Sequence, residues 1–148
     1  MSLQETLTAE LRSAMMAKNA ERTGTLRLIK SALGYVQIEK KADNLPDADV
    51  LVVLQREAKK RRDAAEEFER GGRPELAAKE RDELKVIEEF LPRALSTEEL
   101  EALVRSAISE TGATSKKDMG VVMKAAQAKA AGRADGKSLS ALVGRLLP

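Results

Sequence analysis

Between Ser115 and Lys137 the chain gathers the residues best suited to hold an anion. Ser115-Lys116-Lys117-Asp118-Met119-Gly120 opens the stretch and Gly132-Arg133-Ala134-Asp135-Gly136-Lys137 closes it, with Lys124 between them. Ammonium and guanidinium groups beside glycines and two helix starts place positive charge next to accessible backbone N–H groups. That combination suits phosphate oxygens better than a small organic substrate. The candidate binding residues are therefore Lys116, Lys117, Gly120, Lys124, Arg133, Gly136 and Lys137. Lys116 and Lys117 fall at a helix start, where the macrodipole disfavours cations, so a nearby anion explains them more readily than helix stability does. The second glycine cluster is not a nucleotide-binding P-loop. Three residues rather than four separate Gly132 from Gly136, and no strand precedes it.

Charge distribution points the same way. Residues 111–148 hold seven Lys and Arg against Asp118 and Asp135, whereas residues 1–95 balance 18 basic with 18 acidic side chains. A local excess on a terminal segment is the footprint of a polyanion partner. Lys59-Lys60-Arg61-Arg62 is denser, but four consecutive helical positions point to all sides and acids lie close by. On that helix the Arg61 stem is expected to cover apolar surface while its head reaches water. The many carboxylates mostly have Lys or Arg three or four residues away, as in Lys59–Asp63 and Arg62–Glu66, the pattern of a solvated, ion-paired helix face.

Composition narrows the chemistry. The 148 residues include no Cys and no His, which removes disulfides, thiolate nucleophiles, the usual general base and the commonest metal ligand. No catalytic residue, metal site or cofactor is expected. Aromatics make up 2% of the chain, so stacking platforms for single-stranded bases are scarce, while backbone and shape recognition of structured RNA remains open. No apolar run approaches the ~20 residues of a membrane span, and no basic segment leads into an apolar one at the N-terminus. A cytoplasmic protein is expected.

The elements that must position these residues are helical. Ala, Leu, Glu, Lys and Arg dominate, and such a composition favours an all-α fold. Ser2–Glu5 is a capping-box pattern, followed by Leu3, Leu7, Leu11 and Met15 as the face of a first helix. A second helix is expected from about Glu21 to Lys41 on Leu26, Ile29, Leu33 and Val36. Pro46 breaks it, and a third runs from about Asp47 to Arg70 with Val50, Leu54, Ala58, Ala65 and Phe68 inward. Gly71-Gly72 ends that helix and Pro74 starts a fourth, closed by Pro92. Ser96–Glu99 is a further capping box, with Gly112 as C-cap. Ser115–Asp118 opens a sixth helix that Gly132 closes, and Asp135 or Ser138 caps the last. Residues 1–92 are thus expected to form a four-helix domain and residues 93–148 a three-helix bundle, with the boundary at Leu91–Leu95.

The segments Arg56-Glu-Ala-Lys-Lys-Arg-Arg-Asp-Ala-Ala-Glu-Glu-Phe-Glu-Arg-Gly-Gly-Arg73, Glu89-Phe-Leu-Pro92, Thr111-Gly-Ala-Thr-Ser-Lys-Lys-Asp-Met-Gly120, Val122-Met-Lys124 and Gly132–Lys137 resemble, in order, the GatB/YqeY family and most closely its stand-alone YqeY-type members. The resemblance spans nearly the whole chain, and it too implies an all-helical protein in two domains. It further implies a tRNA-binding accessory module, similar to the tail of the tRNA-dependent amidotransferase B subunit, with an amidotransferase or an aminoacyl-tRNA synthetase as associated enzyme. Stand-alone members are often labelled carbon–nitrogen ligases with glutamine as amido donor. In the amidotransferase, however, the kinase and transamidase chemistry lies in the domain preceding the tail, and glutamine hydrolysis belongs to another subunit. Participation as a subunit and a pure protein-interaction scaffold are the alternative functions. Val121 stands where many members carry Lys, and Ala126-Gln127 where many carry Met-Pro, so a helix break near residue 127 is not expected.

Overall fold

Local capping chemistry sets the helix starts. In the computed structural model, which describes residues 1–148, Ser2 Oγ accepts the Glu5 N–H at 3.1 Å and opens α1 (Leu3–Met16). Asn19 Oδ1 accepts the Arg22 N–H at 3.1 Å and opens α2 (Ala20–Lys40). Pro46 precedes α3 (Asp47–Arg70), and Pro74 is the first residue of α4 (Pro74–Glu88), the position where its missing N–H costs nothing. Three more helices follow: α5 (Thr97–Thr111), α6 (Met119–Ala130) and α7 (Gly136–Leu146), with a short 3₁₀ turn at Lys116–Asp118. The fold is all-α, with no strand, and no helix is long and apolar enough to cross a membrane.

Contacts divide the chain into two units, Met1–Leu91 and Pro92–Pro148. The first unit is built around Leu7, Leu11, Leu26, Ile29, Leu33, Val50, Leu54 and Ile87, all buried. Its α2–α3 connection is tied to the start of α1: the Leu3 N–H donates to Asp47 Oδ1 at 2.9 Å, and the Leu45 N–H donates to Gln4 Oε1 at 2.7 Å. Arg22 on α2 forms ion pairs with Glu10 on α1 at 3.1 Å and with Glu89 just beyond α4 at 2.7 Å, its guanidinium lying 5.9 Å from the Phe90 ring centroid.

Three local expectations need correction. Met15 does not continue the inner face of α1; it is 49% exposed and Ala14 is buried in its place. A strict spacing of four advances ~40° per step around a 3.6-residue helix, so after three steps from Leu3 the stripe has turned away from the core. Phe68 is only half-buried, near the end of α3. Arg61 does not reach water: it is 8% exposed, with Nη1 bonded to Glu57 Oε1 at 3.0 Å and Nε to Glu83 Oε2 at 3.3 Å. Glu57 is itself buried and also pairs with Lys60 at 3.0 Å. The acid four residues before Arg61 and the acid facing it from α4 turn an exposed-looking cation into a cross-link between α3 and α4.

Removing Arg61 leaves Glu83 without its cation and buried Glu57 with only the exposed Lys60, in a poorly hydrated place. Arg61→Ala is expected to destabilise the protein by about 3–5 kcal/mol, whereas Lys59→Ala, which breaks the exposed pair with Asp63, changes stability by less than ~1 kcal/mol. Urea unfolding followed by far-UV circular dichroism measures both, and equal costs for the two variants would refute the assignment.

Candidate nucleic-acid interface

The second unit is organised by the acids of α5. Ser96 Oγ accepts the Glu99 N–H at 3.1 Å, and the Glu99 carboxylate reaches back toward the Ser96 N–H at 3.4 Å. This capping box fixes Glu99 at the start of the helix. Arg93 Nη2 then lies 3.4 Å from one carboxylate oxygen, and Arg133 Nη2 lies 3.6 Å from the other. Arg133 Nε donates to the Arg93 carbonyl at 3.0 Å, and the Leu95 N–H donates to the Arg133 carbonyl at 3.0 Å. Together these bonds pin the α6–α7 connection to residues 93–95.

Two further acids of α5 take cations. Glu110 pairs with Lys129 at 2.7 Å, and Glu101 with Arg105 at 2.8 Å. Hydrogen bonding to Ser96 holds the Glu99 carboxyl below its ordinary value, with Arg93 adding to the effect. Arg105 does the same for Glu101, and Lys129 for Glu110. Below these surface pairs, Val104, Ala107, Val122, Ala126, Leu139 and Val143 form the unit's core.

The expected sixth helix begins differently from its sequence pattern. Lys116–Asp118 form a 3₁₀ turn, and α6 starts at Met119. The Asp118 carboxylate turns back to accept the Thr114 N–H at 3.0 Å and the Ser115 N–H at 3.4 Å, which tightens the turn. At the other end Ala131, not Gly132, takes the left-handed cap position at φ 49°, and Gly132 follows at φ 84°. The helix runs without a break through Ala126-Gln127. Asp135, rather than Ser138, caps α7 by accepting the Ser138 N–H at 2.7 Å.

The seven candidate residues separate into distinct groups. Lys116, Lys117, Lys124 and Lys137 are exposed and take part in no ion pair. Gly120, Val121 and Lys124 lie on the side of α6 opposite Val122, Ala126 and Ala130, and Lys117 precedes them on the 3₁₀ turn. A Cβ added at Gly120 would meet no atom within 4 Å, so internal packing does not require glycine there. Gly136 is exposed as the first residue of α7, where the protein's own Asp135 carboxylate already lies at the helix start. Arg133 is the exception: its guanidinium is engaged with Arg93 and Glu99 and holds the unit together. The sequence signal that separates Arg133 from the lysines is the set of α5 acids, which lie outside the basic segment itself.

The model of a family described as Yqey-like protein matches residues 4–147. The chain is 32% identical over 95 residues to an uncharacterized protein of Schizosaccharomyces pombe, a match covering 64% of this chain and 76% of the relative. It is 31% identical over 107 residues to Altered inheritance of mitochondria protein 41, mitochondrial, of Kluyveromyces lactis, covering 70% of this chain and 57% of that protein. The chain thus spans little more than half of the second relative's length.

The capping box yields a pH-dependent prediction. A carboxyl whose folded value lies below its ordinary 4.5 contributes stability that is present above pH 4.5 and is lost as pH falls through the folded value. Ser96→Ala should lower stability at neutral pH by about 1 kcal/mol. Glu99→Gln should flatten the loss of stability on acidification below pH 4.5. Urea titrations at neutral and acid pH check both, and an unchanged acid limb in Glu99→Gln would remove Glu99 from the account.

Proposed function

The chain belongs to the Yqey-like protein family, and from that membership and the free lysines of its second unit we propose that it is a tRNA-binding accessory module. We read the two units as a four-helix domain and a three-helix domain, the second of which meets the RNA. The observation that carries the proposal is the sorting of charge. Glu99, Glu101 and Glu110 of α5 take Arg93, Arg105, Lys129 and Arg133, and leave Lys116, Lys117, Lys124 and Lys137 without a counter-ion. Unpaired lysines repel one another and gain from a polyanion that releases its own counter-ions on binding.

The chemistry favours the RNA backbone over its bases. Lys117 on the 3₁₀ turn and Lys124 on α6 are seven residues apart, a separation that suits successive phosphates rather than a single group. Between them Gly120 leaves the helix backbone open to close approach. Tyr35, Phe68 and Phe90, the only aromatic residues, all lie in the first unit, so the second has no ring on which to stack a base. Recognition by shape and phosphate position suits a folded tRNA body. No side chain is assigned a catalytic role. An aminoacyl-tRNA synthetase or an amidotransferase would supply the aminoacylation or amide chemistry, with this protein holding the tRNA in the cytoplasm.

Titration of tRNA at several salt concentrations tests the proposal. Replacing Lys116, Lys117 and Lys124 together by Ala should weaken binding and reduce the slope of log affinity against log salt by about 0.7–0.9 for each phosphate that no longer meets a lysine. Gly120→Ala separates function from folding. It should leave stability unchanged or raise it by up to about 1 kcal/mol, yet weaken tRNA binding by crowding the backbone. Absence of binding at low salt, or a slope that the triple variant leaves unchanged, would refute the proposal.

A further inference from the structure

Helix α2 carries an outward face that nothing in its own unit explains. Gly24, Leu28, Ser31, Tyr35 and Ile38 recur at spacings of four, three, four and three residues, the seam pattern of paired helices. Tyr35 is 77% exposed, Ile38 78% and Leu28 46%. The opposite face, with Leu26, Ile29 and Leu33, already supplies the core. Large apolar side chains repeated along one exposed helical stripe are the mark of a contact surface.

The glycines strengthen this. Neither Gly24 nor Gly34 has a positive φ, and a Cβ at either would meet no atom within 4 Å. Each lowers helix stability by ~0.5–1 kcal/mol relative to Ala without any return in local packing. Beside Gly34 the surface forms a shallow, wide-open depression, lined also by Gln37, Ile38, Lys41, Ala42 and Asp43. The face therefore carries both projections and recesses.

We propose that this face binds a second copy of the same chain, α2 against α2 in antiparallel sense, about a twofold axis at Ser31. That axis sets Gly24 opposite Ile38 of the second copy and Leu28 opposite Gly34, so both aliphatic side chains meet a glycine. The same axis sets Glu21 opposite Lys41. Both are exposed and neither has an ion pair within its own chain, and twofold symmetry makes the pairing occur twice. Arg27, exposed and unpaired, comes opposite Tyr35, where a guanidinium can lie on the ring. A parallel arrangement would instead set Glu21 against Glu21 and Lys41 against Lys41. One helix face ~30 Å long makes an interface at the small end of specific contacts, so the dimer forms and dissociates with concentration.

Sedimentation of the full chain from about 1 μM to 1 mM should show a monomer–dimer equilibrium, and Ile38→Glu should raise its dissociation constant about tenfold or more. Because the chain has no Cys, introduced cysteines report on orientation. An oxidised mixture of Glu21→Cys and Lys41→Cys proteins should form the mixed disulfide in preference to either like pair. A monomer throughout the concentration range, a dimer indifferent to Ile38→Glu, or a preference for like pairs would each overturn the proposal. If Ile38→Glu fails to fold, the cysteine pairing still decides.

Discussion

The second unit depends on the competition among its cations for too few acids. Glu99, Glu101 and Glu110 all project from α5, and each takes the basic group that the fold brings within reach. Glu99 matters most, because it is fixed by a capping box before it meets Arg93 and Arg133. Its two arginines join the start of the unit to the turn between α6 and α7. Of the unit's other three acids, Asp118 and Asp135 are turned onto backbone N–H groups and serve as local caps, and Glu98 is exposed in the first turn of α5. The free lysines are therefore what remains once folding has used the acids within reach. An exposed ion pair contributes little to stability, but it decides which charges are left to act on a partner.

The first unit uses charge in another way. Arg61, Glu57 and Glu83 lie where water is scarce, so their value is conditional on all three being present. A hydrophobic replacement of the whole set could leave stability unchanged, whereas loss of one member cannot. The network also fixes which faces of α3 and α4 meet, because only one register brings Arg61 against Glu83. Arg22 links Glu10 and Glu89 at a more exposed position, with correspondingly weaker effect on the fold.

Much of the helical framework was legible because its signals are local. Ser2, Pro74 and Ser96 mark helix starts through bonds or dihedral limits spanning only a few residues, and the apolar stripes of α2 and α3 keep their periodicity. Legibility failed where the deciding partner lies far along the chain. Arg61 looks amphipathic until Glu83, 22 residues later, closes on it. Arg133 looks like part of a binding patch until Glu99 and the Arg93 carbonyl, 40 residues earlier in the second case, engage it. Met15 failed for a geometric reason, the drift of a four-residue spacing around the helix. The start of the sixth helix was legible at Ser115–Asp118, but not the 3₁₀ form that Lys116–Asp118 take before Met119.

Glycines give a way to tell a residue kept for folding from one kept for contact. Gly112 caps α5 at φ 68°, a conformation that a side chain strains. Gly24, Gly34 and Gly120 have no such requirement, and each has open space where a Cβ would point. In a helix, a residue that lowers stability and fills no internal need gains a physical reason only when another surface comes close. On α6 the neighbours of that open backbone are cationic, which suits a phosphodiester chain. On α2 they are Leu28, Tyr35 and Ile38, which suits another apolar helix. The same absence of a side chain thus points to different partners, and the charge of the flanking residues decides between them.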